Sequence, residues 1–162
     1  DREFGVPDEY PLEAAGCRID ENGKKYIRVK GVRWYTNIDH GRRHNPLSLM
    51  SMADNIKYSK HKDIQGKKYQ HYDNYDAIEI PYTDAIPCDY ENLMGVPVTF
   101  LDKYCPEQFD IIWQACGNTR ASAPKEILDE VGYTIHPEDR GGCGVVNNKR
   151  QYARILIRKK QS

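Results

Sequence analysis

Residues 152–159 read YARILIRK. Ala153, Ile155 and Ile157 fall on one side and Arg154, Leu156 and Arg158 on the other, the period-two alternation of a half-buried strand. NNK (147–149) before it supplies a turn. Working outward, DAIEI (76–80), VPVTF (96–100) and FDIIWQA (109–115) read as buried strands between turns. KKYIRVK (24–30) alternates in the same way after the turn signal DENG (20–23). Gly31 separates it from VRWYTNI (32–38), so these two runs predict a hairpin. Helix signals are fewer. SAPKEILDEVG (122–132) has Ser122 or Ala123 at the cap, Pro124 in the first turn and Gly132 past the end. TFLDKYCPEQF (99–109) predicts a short helix ended near Pro106, PLSLMSMADNIKY (46–58) fits strand or helix, and 59–76 reads as an extended polar arm. The expected fold class is α/β, a mixed sheet in a loop-rich chain, without the regular β-α-β rhythm of a complete doubly wound sheet.

The 162 residues suit a single domain, or a fragment, spanning 1–162. Charged residues make up 30%, hydrophobic ones 39%, and the mean hydropathy is −0.81. No apolar run approaches the roughly 20 residues of a membrane span, so no membrane partner is expected. The start, DREFGVPDEYPLEAAG, is acidic, broken by Pro7 and Pro11, and lacks Met. It does not read as a signal peptide, and it fits a piece of a longer chain. Five cysteines, with no C-x-x-C pair, suggest free thiols and a cytoplasmic location. Twelve tyrosines against three phenylalanines suit surfaces that are half apolar and half wet.

A formal net charge of zero hides an asymmetry. Residues 1–23 carry two basic and seven acidic side chains, 24–72 carry twelve and three, and 73–162 carry ten and fourteen. Region 24–72 therefore becomes the candidate phosphate-facing, DNA-contacting surface, against the plain alternative of a solvated basic face. Within it, DHGRRH (39–44) places five polar or charged groups in six positions. His40 and His44 have helical i, i+4 spacing, but Gly41 argues for a turn and two arginines would repel a cation, which disfavours zinc. Arginine offers paired donors to guanine or phosphate, so a DNA contact fits better; an ordinary solvated turn with Asp39 paired to an arginine is the alternative. Asp39-His40, Asn55 and His61 loosely echo a metal-dependent nuclease pattern, with spacing too short for it. In the arm, Lys57, Lys60, Lys62, Lys67 and Lys68 interleave with Tyr58, Tyr69, Tyr72 and Tyr75. Such a pattern can neutralise phosphates and stack bases, or it can be a basic loop whose tyrosines pack on the core; Asn74 and Tyr75 also suit a turn. Trp34 and Trp113 are expected in the core, Asp102, Glu107 and Asp110 as surface charge, and Gly95 as a source of backbone freedom.

Several of these phrases resemble the EcoRI-type adenine-specific DNA methyltransferases: VPDEYPL (6–12), IDENGKKYIRVKGVRWYTNIDHGRRHNPL (19–47), NIKYSKHK (55–62), YDNYDAIEIPYTDAIPCDYENLMGVPVTFLDKYCPEQFDII (72–112) and YARILIRK (152–159). The run MGVPVTFLDKYCPEQFDI after a VRWYTNIDH block is the most specific part. Residues 114–150 do not match, and a member-specific insertion is expected there. The resemblance implies transfer of a methyl group from S-adenosylmethionine to adenine N6 in double-stranded DNA, in a restriction–modification setting. It implies a Rossmann-like methyltransferase fold with target-recognition loops. Two motifs carry that chemistry, a Gly-rich turn for the cofactor and an Asn/Asp-Pro-Pro-aromatic tetrapeptide for the extruded base. Neither is present: NPLS (45–48) has one proline and no aromatic, and RGGCGVV (140–146) follows no strand. The resemblance therefore implies the C-terminal portion of such an enzyme, inactive by itself and completed by the missing N-terminal half. No catalytic, cofactor-binding or metal-ligating residue is assigned, and no cofactor is expected to be bound by this chain alone. The assigned DNA contacts are Asn37, Asp39, His40, Arg42, Arg43 and His44 in the turn, and Lys57, Lys60, Lys62, Tyr72, Asn74 and Tyr75 in the arm. The alternative function is a non-catalytic DNA-binding or regulatory module; a metal-dependent nuclease ranks below both.

Overall fold

The computed structural model describes residues 2–13, 16–32 and 36–161. The chain divides into two compact units, Asp1–Ile38 and Asp39–Ser162, where one domain or fragment is expected from length.

The first unit is a three-stranded antiparallel sheet of β1 (Arg2–Gly5), β2 (Cys17–Ile19) and β3 (Lys25–Val29), in the order β1-β3-β2. The expected turn at 20–23 closes the β2–β3 hairpin. Asp20 Oδ1 accepts from the Asn22 and Lys24 amides at 2.9 Å, and Gly23 takes φ 80°. The expected hairpin between 24–30 and 32–38 is thus corrected: β3 pairs back onto β2 and β1. Residues 33–35, including Trp34, lie outside the described residues; Val32 and Thr36 to Ile38 are not in strand conformation.

The second unit holds the core. Its main sheet runs β4 (Ala77–Glu79), β5 (Leu93–Pro97), β9 (Arg154–Lys159) and β6 (Phe109–Ala115), in the order β4-β5-β9-β6. β4 and β5 are parallel, while β9 lies antiparallel to both β5 and β6. Segment 70–72 covers the free edge of β4, through a His71–Ile78 bridge and the Tyr72 and Glu79 amides. The connection from β4 to β5 contains a 3-10 turn (Thr83–Ala85) and no α-helix.

YARILIRK proves to be a central strand, so burial on one face only is corrected. Ile155 and Ile157 enter one cluster with Ile78, Met94, Val96 and Phe109. Leu156 enters a second, with Tyr72, Ala77, Leu93, Ala115 and Val131. The register jumps between Ile111 and Trp113, a bulge that turns Trp113 and Ala115 toward the second cluster while Phe109 stays in the first. Trp113 is half-buried against that cluster.

Two short helices complete the unit. α1 (Met52–Tyr58) settles the ambiguity at 46–58. Ser51 Oγ accepts from the Asp54 amide at 3.0 Å and donates to the Asp54 carboxylate at 2.7 Å, a capping arrangement. α2 (Lys125–Glu130) starts after Pro124, and Gly132 follows at φ 60°. The expected helix at 99–109 is a 3-10 turn, Val98–Lys103. β7 (Val145–Val146) and β8 (Lys149–Arg150) form a hairpin around Asn147 and Asn148. Both asparagines have positive φ, 50° and 60°, as a two-residue hairpin turn of this hand requires. Among the described residues no helix is long and apolar enough to cross a membrane.

Candidate nucleic-acid interface

His40 enters a 3-10 turn, Gly41–His44, from an extended conformation. The His44 ring is held between two carboxylates, Nε2 at 2.6 Å from Asp39 Oδ1 and Nδ1 at 2.6 Å from Glu107 Oε1. The hydrogen bond to Glu107, then that to Asp39, raises the His44 pKa above its ordinary value. Glu107 also accepts from Cys105 Sγ at 3.1 Å; with that bond and the one to His44 its pKa falls to about 2. Asp39 and His44, both assigned to DNA, thus latch the turn to segment 105–107, and Glu107 has more than the surface role expected of it. His40 and Arg42 are exposed beside the latch, whereas Arg43 is half-buried, and both Arg43 and Asn37 have partners of their own.

Arg42 opens one wall of a groove of about 400 Å³, continued by 45–49 and faced by Thr83, Asp84, Asp102 and Lys103. NPLS lies in this wall, where the Leu47 amide and carbonyl are paired with the Gln108 side chain at 2.8 and 2.9 Å. Lys60 and His61 reach the same groove through Asp84, at 2.7 and 2.8 Å. Burial pushes the Asp84 pKa up, but the hydrogen bonds from Lys60 and His61 outweigh it and the carboxyl stays below its ordinary value. His61 stacks on Tyr82, ring centroids 3.7 Å apart, and Tyr82 donates to Asp63 at 3.0 Å. Lys57 lies over the exposed Tyr58 ring, and Lys62 is exposed. The structure therefore brings Arg42 and Lys60 to one groove, with Lys103 as a cation that sequence reasoning missed. No local spacing signals a contact between residues so far apart in the chain.

The remaining three assigned contacts are corrected by their burial. Tyr72, Asn74 and Tyr75 have their side chains inside the unit. Asn74 donates to the Cys143 carbonyl and accepts from the Val145 amide, both at 2.9 Å. Tyr75 donates to the Gly142 carbonyl, and Tyr72 to Glu79. Glu79 in turn holds Arg154, Nη2 to Oε1 at 2.5 Å and Nε to Oε1 at 2.9 Å, an ion pair that spans from β4 to β9 over β5. Gly95 leaves the gap. A Cβ there would lie 2.1 Å from the Tyr72 hydroxyl, so this glycine serves close approach rather than backbone freedom. Asn55, part of the nuclease pattern, is also fully buried and donates to the Ala85 carbonyl at 3.4 Å. Among the described residues no group of three or more His, Cys, Asp or Glu is placed to hold a metal ion.

The family model of the adenine-specific methyltransferase EcoRI matches residues 1–160. This chain belongs to that family. It is 37% identical over 158 residues to the type II methyltransferase M.EcoRI of Escherichia coli, covering 98% of this chain and 39% of the relative. It is 34% identical over 162 residues to M.MgeORF184P of Mycoplasma genitalium, covering 98% and 46%. M.MpnI of Mycoplasma pneumoniae is 28% identical over 145 residues, covering 89% and 41%. The chain thus spans less than half the length of these relatives. No solved structure matches it.

Methyltransferases of this family imply S-adenosylmethionine in the full-length enzyme, and the glycines at 141–144 are the nearest match in this sequence to a cradle for it. They do not fit. A Cβ on Gly142 would lie 2.4 Å from Thr119 Oγ1, and one on Gly144 2.4 Å from the Tyr72 ring. The space beside these glycines is filled by the protein itself, and Cys143 between them is buried.

Proposed function

We propose that this chain is the C-terminal, DNA-contacting portion of an S-adenosylmethionine-dependent DNA adenine-N6 methyltransferase of the restriction–modification kind. Membership of the EcoRI family carries the reading. The N-terminal half, outside this chain, would hold the cofactor, the base-binding tetrapeptide and the larger part of a Rossmann-like sheet. The helix-free connection between β4 and β5 suits a target-recognition body better than a βαβ unit. DNA contact falls to Arg42, Lys57, Lys60 and Lys62 and to His40, all exposed in the basic region. Asp39 and His44 position the turn. The five free cysteines suit a cytoplasmic enzyme.

The test uses the full-length protein with duplex DNA and S-adenosylmethionine labelled at the methyl group. N6-methyladenine is expected in the digested DNA. Label recovered only in cytosine, or none in DNA, contradicts the proposal.

A further inference from the structure

The three-stranded sheet of the first unit has two chemically different faces. Strand alternation and register place Glu3, Tyr26, Arg18 and Arg28 on one side. These groups satisfy one another: Arg18 meets Glu3 at 2.8 Å, Arg28 meets it at 3.6 Å, and the Arg18 guanidinium lies 4.5 Å above the Tyr26 ring. The opposite side carries Phe4, Cys17, Ile19, Ile27 and Val29, with Arg2 beside Val29 and Lys25 beside Ile19 at its margins; Phe4 stands directly across from Ile27 and Ile27 from Cys17, and Lys25 Nζ donates to the Asp8 and Tyr10 carbonyls.

An antiparallel sheet with this pattern buries its apolar face against a core and leaves its polar face in water. Within this unit that face is only partly covered, with Cys17 and Ile27 half-buried. Phe4 is 44% exposed, Ile19 57% and Val29 37%, and no described residue of this unit is buried. A small antiparallel sheet gains its stability from burying its hydrophobic face, and exposed apolar side chains grouped on one face are the usual mark of an interaction site. The relatives that this chain matches along 98% of its length extend well beyond it, since the match covers only 39% and 46% of them.

We infer that the apolar face of β1-β3-β2 is the surface on which the rest of the methyltransferase polypeptide docks, closing the sheet into a shared core. The occupant belongs to the same chain, because more than half of each relative lies outside the matched region and this unit is matched along with the remainder. This inference rests on the proposed function, in which the chain is one portion of a longer enzyme. The polar face, already locked by the Glu3 ion pairs, stays in solvent.

Thiol labelling of the full-length enzyme tests it. Native Cys17 and cysteines introduced singly by Ile19→Cys and Val29→Cys report the apolar face, and Asn22→Cys reports the exposed turn. With a maleimide under native conditions, the three face positions are expected to react about tenfold or more slowly than position 22, at all enzyme concentrations. Labelling of all three as fast as position 22 overturns the inference. Protection that disappears on dilution assigns the face to a second copy and overturns it as well. If one introduced cysteine prevents folding, the native Cys17 still reports the same face. Adenine methylation measured on the wild-type enzyme keeps the two readings apart: an enzyme that methylates adenine but labels freely refutes only the docking face.

Discussion

Asn74 spends both ends of its amide on backbone groups of segment 143–145, and all three groups are shielded from water. Replacing it by Leu leaves that carbonyl and amide without partners, which costs about 1–3 kcal/mol per unsatisfied group. With two such groups, urea unfolding of Asn74→Leu is expected to show a loss of about 2–6 kcal/mol. Gly95→Ala is expected to cost about 1–3 kcal/mol or more by forcing Tyr72 out of its place over β5. Gly41→Ala, where a Cβ meets nothing within 4 Å, serves as the neutral comparison in the same melts. Removing one partner of the Glu79–Arg154 pair leaves a charge in a site where each side chain is only 10% exposed. Arg154→Met alone should therefore lose about 3–5 kcal/mol, and part of that loss should return in the Glu79→Gln, Arg154→Met double variant. The sequence left Tyr72 and Tyr75 open between base stacking and core packing, because the polar residues of YDNYD look the same whether they face water or an interior loop. Their partners lie near residues 142–145 and 154, beyond the reach of any local pattern.

The elements themselves were more legible. FDIIWQA has the predicted bounds, 109–115, and the Asn147–Asn148 turn falls where expected. What alternation could not give was the second buried face of β9 or the bulge in β6, since both depend on which strands lie alongside. The expected 24–38 hairpin failed for the same reason: β3 is the central strand, paired with β1 on one edge and β2 on the other, which leaves it no free edge for a further strand. At this scale the His44 latch has a pH signature. His44 has a raised pKa, so its contribution is complete below 6.5 and is lost as pH rises through the folded value. Glu107 has a lowered pKa, so its contribution is complete above 4.5 and is lost as pH falls toward about 2. The latch is therefore fully formed between these two ordinary values. NMR titration of the His44 ring should give a midpoint above the ordinary histidine value, and Glu107→Gln should bring it down. A midpoint that Glu107→Gln leaves in place would rule the latch out.

Over the whole molecule, charge segregation marks region 24–72, and the fold sorts that region into exposed and structural parts. Tyr72, with Asn74 and Tyr75 just beyond, turns inward and builds the core. Asp39 and His44 fix the turn, and Arg42, Lys57, Lys60 and Lys62 remain in solvent. The family match covers less than half of each relative, and the apolar face of the first unit is the surface proposed to meet the remainder. These exposed cations are proposed to contact DNA phosphates. The most direct test is the salt dependence of duplex binding by the full-length enzyme, wild type against Arg42→Gln, Lys57→Gln, Lys60→Gln and Lys62→Gln combined. For every phosphate that the variant no longer neutralises, the slope of log affinity against log salt should fall by about 0.9, with weaker binding at low salt. An unchanged slope and unchanged low-salt affinity would contradict the claim.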